Sequence, residues 1–508
     1  MALQQSDRET AQPAADSPGG YAAQATASVV WTVAQKWVLR ITGFVTIAIL
    51  ARLLSPADFG VVALASSLLP LLQLLADLGF STYLLQVPEA TTRRLSTFFW
   101  YSMASGVVLA GGLVLIAPLL GMLFATPAVT PVIQGLAPVA LLITLGAVPT
   151  TLLRRNLRFR SLAVQATIAG AAGQAVAVVL ALLGFGVWAL VWQTLIVQIV
   201  STALAWIASR WLPSFEFSRQ EFGTMVRFGA KVIGIELVAL ARSWAENAIV
   251  VSALGVSGLG YLNIAQRLIQ IAQDLTSAAL VPVSLVVFAQ IRSASDRLRA
   301  GYLRAQSVSY VVVGAIMLCL AVGSPVLIPM LFGSQWHESV APAQLLAVAG
   351  ILTIGASLDQ GLFYGVGRPG TWFVYAIAVE ILTVAVTAAV VHWGLGAMAL
   401  GFVFVAAAAT VARWPLVARE LDARWWTVSM PIVKTSIPIA VAAVVGFAAV
   451  AITRPLPGPV SLLLAGLAMA AFYLPLLRLT ARDTSAELIG LGQRALRRIL
   501  PRAPKAAL

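Results

Sequence analysis

Residues 310–332 read YVVVGAIMLCLAVGSPVLIPMLF, 23 consecutive positions without an Asp, Glu, Lys or Arg. Coiled as a helix at about 1.5 Å per residue, this run is long enough to cross a hydrocarbon core of ~30 Å. Reading outward in both directions, apolar runs of similar length recur along the chain, and the polar residues gather in the short gaps between them. The 508-residue chain is 60% hydrophobic and 10% charged, whereas a soluble domain has about 25% charged residues. So little charge cannot clothe a water-exposed surface of ordinary size. A soluble enzyme, a DNA-binding domain and a disordered protein are therefore excluded, and the composition predicts an all-α polytopic membrane protein.

Fourteen crossings are expected, at about 28–54, 60–86, 96–124, 130–153, 162–183, 186–211, 222–254, 258–289, 302–332, 340–365, 371–393, 395–418, 430–453 and 458–479. No gap is large enough for a soluble catalytic domain. Residues 1–27 are polar, contain Asp7, Arg8, Glu9 and Asp16, and lack the apolar core of a cleaved leader, so they read as a disordered tail. Residues 480–508 read as a basic tail. Within it, Leu488, Leu491, Ala495 and Ile499 share one helical face beside Arg494, Arg497 and Arg498, the pattern of an interfacial helix on an anionic leaflet.

The net charge of +14 reads as topology and not as nucleic-acid binding, because the cations alternate. Gaps after even-numbered segments hold Arg93 and Arg94; Arg154, Arg155, Arg158 and Arg160; Arg210 and Arg219; Arg292, Arg297, Arg299 and Arg304; Arg368; and Arg413, Arg419 and Arg424. Those after odd-numbered segments hold little beyond Arg52 and Arg454. Cytoplasmic loops carry the excess of Lys and Arg, so both termini are expected in the cytoplasm and the protein in the cell membrane. Lone Cys319 excludes an intrachain disulfide, and His337 and His392 are isolated, so no metal and no cofactor are expected. Trp100, Tyr101, Trp188, Trp192, Trp336, Trp393, Trp425 and Trp426 read as interfacial belt residues, with sugar stacking as the alternative for Trp336 and Trp393.

A repeat runs through these segments. Leu54 and Gly60 recur as Leu254 and Gly260 at offset 200, Met122-Leu123-Phe124 as Met330-Leu331-Phe332 at offset 208, and Gly184-x-Gly186-x-x-Ala189-Leu190 as Gly394-x-Gly396-x-x-Ala399-Leu400 at offset 210. Six segments, an even number, separate the copies, so both halves share one orientation. The expected architecture is a six-helix lobe over 28–211, a second over 222–418, and two additional helices over 430–479. Parallel repeats of this kind are one transporter plan. The GxG strings lie in hairpins between membrane segments and lack the strand a dinucleotide fingerprint requires, so they read as tight turns, like Pro56 and Gly60 after Arg52.

Ionisable residues inside a membrane segment cost several kcal/mol and call for a reason. The first segment carries Lys36 and Arg40, four apart and on one face. The second ends at Asp77. The seventh carries Arg227, Lys231, Glu236, Arg242 and Glu246. At about 100° per residue, Lys231, Arg242 and Glu246 fall within about 60° of one another. The eighth adds Gln266, Arg267, Gln270 and Asp274, the tenth Asp359 and the eleventh Glu380. Lys36, Arg40, Arg242 and Arg267, joined by Arg52 and Lys231, form the expected cationic set for an anionic head group such as a diphosphate. Asp77, Glu236, Glu246, Asp274, Asp359 and Glu380 are the candidates for ion coupling, with simple neutralisation of the arginines as the bland alternative.

An ordered set of short strings then carries a family resemblance: Arg52-Leu-Leu-Ser-Pro-Ala-Asp58-Phe-Gly60, Leu153-Arg-Arg-Asn-Leu-Arg-Phe159, Gly184-Phe-Gly-Val-Trp188-Ala-Leu190, Gly258-Leu-Gly-Tyr261, Leu331-Phe-Gly-Ser-Gln-Trp336 and Gly365-Val-Gly-Arg368-Pro369-Gly. Together they resemble the bacterial O-antigen, colanic-acid and exopolysaccharide flippases of the multidrug/oligosaccharidyl-lipid/polysaccharide superfamily, over about residues 28–480. The resemblance implies two lobes around a cavity that opens alternately to each side. Its implied substrate is undecaprenyl-diphosphate-linked oligosaccharide, with membrane lipids, a polymerase and glycosyltransferases as partners. It also implies basic residues of each lobe's first helix facing the cavity, matching Lys36, Arg40 and Arg242. An ion-coupled drug antiporter of the same superfamily is the alternative, and a membrane-embedded glycosyltransferase or polymerase a more distant one.

Overall fold

The computed structural model describes residues 40–87, 89–291, 294–486 and 490. The expected tail 1–27, Lys36, and the amphipathic stretch 487–500 apart from Gly490 lie outside the described residues.

Helical backbone is present at each expected segment. α1 is described over 40–53; α2 (Pro56–Ser66), α3 (Leu69–Asp77) and α4 (Phe80–Gln86) follow, then α5 (Thr92–Leu123), α6 (Val129–Arg155), α7 (Phe159–Leu182) and α8 (Trp188–Ser209). After the connector come α9 (Arg219–Ile291), α10 (Ser295–Phe332), α11 (Val340–Gly365), α12 (Pro369–Val390), α13 (Leu395–Glu420), α14 (Trp425–Ile452) and α15 (Gly458–Thr480). Among the described residues, twelve helices are long and apolar enough to cross a membrane. No strand occurs among the described residues. The chain is a multi-pass, all-α membrane protein.

Two elements depart from the expected pattern. The second segment, expected as one helix over 60–86, is three short ones, interrupted at Ser67–Leu68 and again where Leu78 and Gly79 take φ of +43° and +72°. α9, by contrast, is a single stretch of helical pairing covering the seventh and eighth segments, interrupted at Gly255 (φ +68°, ψ 179°). Gln266 Nε2 lies 3.4 Å from Glu246 Oε1, although twenty residues of straight helix would separate them by ~30 Å. The chain therefore reverses at Gly255, where glycine alone tolerates that backbone without strain, and α9 is a helical hairpin. The two GxG turns are not alike: Gly184 and Gly186 both have positive φ, whereas only Gly394 does in the second copy, Gly396 lying already inside α13.

The chain forms two compact units. One comprises the chain up to Leu50, Leu72–Leu113 and Gly135–Lys231. Its core joins Phe80, Leu84, Leu95, Phe98, Phe99, Val148 and Met225. The connector after α8 is tied to this unit. Ser214 N–H donates to Ser96 Oγ (2.9 Å), Trp100 Nε1 to Ser214 O (2.9 Å), and Ser218 N–H to Thr97 Oγ1 (3.0 Å). A two-pronged ion pair from Arg94 to Glu221 (2.7 and 3.0 Å) completes the strap.

The other unit comprises Ala51–Leu71, Val114–Gln134 and the chain from Val232. α10 is its spine, packing on α11, α14 and α15, while α11 packs on α13. Prolines lie inside α10, α13, α14 and α15, as helices packed within a membrane tolerate. Within α14 the Thr435 hydroxyl donates back to the Pro431 and Ile432 carbonyls.

Candidate functional site

One group brings together residues from both expected sets. Arg242 and Glu246 lie one turn apart on the first arm of α9, and Arg242 Nη1 reaches Glu246 Oε2 at 2.6 Å. Arg242 Nε pairs with Glu380 Oε2 on α12, and Gln266, on the second arm, faces the other oxygen of Glu246. Glu246 is buried, its side chain 8% exposed, while Glu380 is 35% exposed. One guanidinium thus stands between two carboxylates. Its net charge, counting both acids as ionised, is −1, the opposite of the cationic cavity expected at Arg242. Removal of a charge from water is tolerated here because each is paired.

The other expected cations are scattered. Arg40 is half-buried on α1. Arg267 is exposed, with its Nε 3.3 Å from Asn263 Oδ1 one turn back. Arg52 is committed elsewhere, donating to the Leu331 carbonyl (3.1 Å) and to that of Met330 at the end of α10. A cation there also meets the negative end of the helix dipole. Lys231, Glu236 and Asp274 lie on the helical backbone of α9, but their side chains are outside the described residues.

Two acids expected in ion coupling have structural partners. Asp77 accepts from Ser81 N–H (3.2 Å) and from its hydroxyl, capping the first turn of α4 after the break at Leu78. Asp359 is 1% exposed and pairs through Oδ2 with Arg413 Nε (3.3 Å), which is 2% exposed; Tyr302 Oη donates to its other oxygen. Arg413 Nη2 donates to Tyr310 Oη (2.9 Å) and to the Leu352 carbonyl (3.1 Å). Gly355 makes room, since a Cβ there would press on the guanidinium and on Tyr310. Arg413, expected among the loop cations, is therefore a core residue of α13, and nothing in its local sequence marks it as such.

A second cluster surrounds the first turn of the chain. Ser55 and Asp58 form a reciprocal cap on α2. Gly60, expected in a turn, lies inside α2, and Gly260 lies just after the α9 reversal. A Cβ on Gly60 would collide with the Val256 carbonyl, and one on Gly260 with the Pro56 carbonyl; each would also sit 3.2 Å from the other glycine's nitrogen. The contact is reciprocal: Gly60 meets residue 256 and Gly260 meets residue 56, positions separated by the same offset of 200 at which Leu54 and Gly60 recur in the sequence. Around it, Gln335 donates to the Leu54 carbonyl (3.0 Å), Trp336 Nε1 to the Ala51 carbonyl (2.8 Å), and Trp244 Nε1 to the Ser67 carbonyl (3.0 Å). Trp336, expected at the lipid interface or stacking on sugar, is 0% exposed between Phe59 and Tyr261. Trp393, 76% exposed, remains free for either role.

Residues 49–341 match a family described as "Polysaccharide biosynthesis protein". The chain is 30% identical over 369 residues to the succinoglycan biosynthesis transport protein ExoT of Rhizobium meliloti (strain 1021), covering 72% of this chain and 74% of that one. It is 23% identical over 328 residues to the lipopolysaccharide biosynthesis protein WzxC of Escherichia coli (strain K12), covering 63% and 66%. Among solved structures, the lipid II flippase MurJ in an inward closed conformation matches with a TM-score of 0.71 at 13% identity, over 89% of this chain and 99% of that one. An inward-facing multidrug resistance transporter of the MATE family matches with a TM-score of 0.61 at 16% identity, over 76% and 94%. At these identities the structural likenesses speak to the fold.

Proposed function

Because this chain belongs to the polysaccharide biosynthesis protein family, we propose that it is a flippase: it turns an undecaprenyl-diphosphate-linked oligosaccharide from the cytoplasmic to the external leaflet of the cell membrane for surface-polysaccharide synthesis. The observation that carries this reading is the 369-residue kinship with a succinoglycan transport protein. The short connections between helices among the described residues support transport over glycosyl transfer or polymerisation. The proposed working units are the two six-helix repeats, 28–211 and 222–418, with 430–479 as an added pair, exposing the substrate to each side in turn. Lys36, Arg40 and Arg267 are the proposed contacts of the diphosphate, and Arg242 joins them when released from its carboxylates. Both termini are proposed to lie in the cytoplasm, and the polymerase and glycosyltransferases of the same polymer are the proposed partners.

One observation favours a second reading, ion-coupled antiport of a cationic solute: the Arg242 group carries more negative charge than positive. Reconstitution separates the two. In proteoliposomes loaded with a fluorescent undecaprenyl-diphosphate oligosaccharide, the flippase reading expects time-dependent exposure of the glycan to an added glycosidase, above empty vesicles. Transport of an organic cation with no movement of the lipid would install the antiporter instead.

A further inference from the structure

This inference rests on the flippase reading and concerns how Arg242 meets its cargo. We propose that Arg242 is an exchangeable ligand, held by Glu246 and Glu380 in the arrangement seen here and passed to the substrate diphosphate when Glu380 takes up a proton, so that one proton binds with each anion.

Charge counting leads to this exchange. A guanidinium already shared by two carboxylates has no uncompensated charge to offer a diphosphate, and bringing the anion beside both acids places three negative groups around one positive one. With Glu246 buried, such like-charge contacts are poorly screened. Removing one negative charge by protonation relieves the conflict, and the diphosphate then takes the vacated side of the guanidinium fork, a geometry suited to phosphate oxygens. The step balances simply: a proton from water forms the O–H of neutral Glu380, and it leaves when the anion leaves and Glu380 recaptures Arg242 Nε.

Geometry selects Glu380 over Glu246. Glu246 is buried, sits on the same helical arm as Arg242, and is held from its other side by Gln266. Glu380 is about a third exposed and stands on α12, whose buried positions among those described reduce to Thr387. That open side is the route the exchange gives to water, and along it Glu380 can swing away without unpacking a core. The charged groups facing it among the described residues are Arg242 and, beyond that, Glu246. Since the proton travels with the anion, acid outside the cell opposes export through this group; the exchange governs binding and does not power transport. The sign also separates cargoes. A cation attracted to Glu246 and Glu380 would bind more tightly as pH rises, the reverse of the trend for a diphosphate.

The test is equilibrium binding of a radiolabelled undecaprenyl-diphosphate-linked oligosaccharide, whose doubly esterified diphosphate does not titrate in this range, to the full-length protein in detergent, between pH 6 and 8.5. For the unmodified protein, affinity should fall about tenfold per unit rise in pH, as one linked proton requires. Glu380→Gln should abolish that slope and bind at pH 8 at least tenfold more tightly than the unmodified protein, while Glu246→Gln keeps the slope. A flat profile for the unmodified protein overturns the exchange without needing any variant to fold. A slope retained in Glu380→Gln, or lost only in Glu246→Gln, also overturns it. Absence of saturable binding at every pH would instead strike the flippase reading itself.

Discussion

Asp359 and Arg413 illustrate what a buried charge pair means for this protein. With about 1–2% of each side chain exposed, neither charge has water to fall back on, and their partners are the hydroxyls of Tyr302 and Tyr310 and the Leu352 carbonyl. Removing one member leaves the other charged and unpaired, at a cost of about 3–5 kcal/mol. Asp359→Asn is therefore expected to lower the melting temperature of the purified protein clearly, by differential scanning fluorimetry. Asp359→Leu combined with Arg413→Met should recover part of that loss, since a hydrophobic pair of similar volume is often neutral. The surface pair Arg94–Glu221 behaves differently. The hydrogen bond from Arg94 holds the Glu221 carboxyl below the usual glutamate value. A depressed folded-state value contributes stability that is present above the unfolded value and lost as pH falls through the folded one. Both groups are a fifth to a quarter exposed, so the effect is a few tenths of a kcal/mol to about 1. Acidifying from pH 6 to 4 should lower the melting temperature of the unmodified protein more than that of Glu221→Gln.

The contact of α2 with the α9 reversal depends on two glycines. Their missing side chains let backbone atoms of residues 56–60 and 256–260 meet, which no larger residue permits. Overpacking such a contact costs typically ~1–3 kcal/mol, and more where backbone must move. Gly260→Leu is expected to open this junction. The readout is maleimide labelling of a cysteine at Phe59, which packs on Trp336, in a Cys319→Ser background; labelling should be slow in the parent and at least severalfold faster with Gly260→Leu. Unchanged labelling would show that the two segments part without those glycines mattering. The hydrogen bonds from Gln335 and Trp336 to the Ala51 and Leu54 carbonyls act on the same junction, so Gln335→Ala should produce a smaller shift in the same direction.

For the chain in its membrane, the alternation of arginines makes a directional prediction. Arg93 and His337 are both exposed, and the gaps that hold them are expected on opposite sides. With exposed Cys319 changed to Ser, an impermeant thiol reagent added to intact cells should label a cysteine at 337 and spare one at 93, with the reverse in inverted vesicles. Labelling of both from one side would remove the orientation on which the cytoplasmic placement of the termini rests.

Composition and the length of its apolar runs were enough to determine that this chain is helical and multi-pass, because a bilayer admits few other ways of satisfying a buried backbone. The sequence also located most helix boundaries, since Gly, Pro and charged residues punctuate the runs. It could not tell a broken segment from a continuous one: the split at Leu78–Gly79 and the reversal at Gly255 depend on how the backbone turns against its neighbours. The recurrence of Leu54 and Gly60 as Leu254 and Gly260 is visible in the sequence, yet Gly60 reads there as a turn residue, because a glycine needed for close approach looks in one dimension like a glycine needed for bending. Arg242 and Glu246 could be paired from their spacing alone. That Glu380, over a hundred residues later, completes the group was settled only by tertiary structure, as was the pairing of Arg413 with Asp359. A charge's partner is fixed by which helix packs beside it, and helix packing is decided by the shapes of many side chains at once.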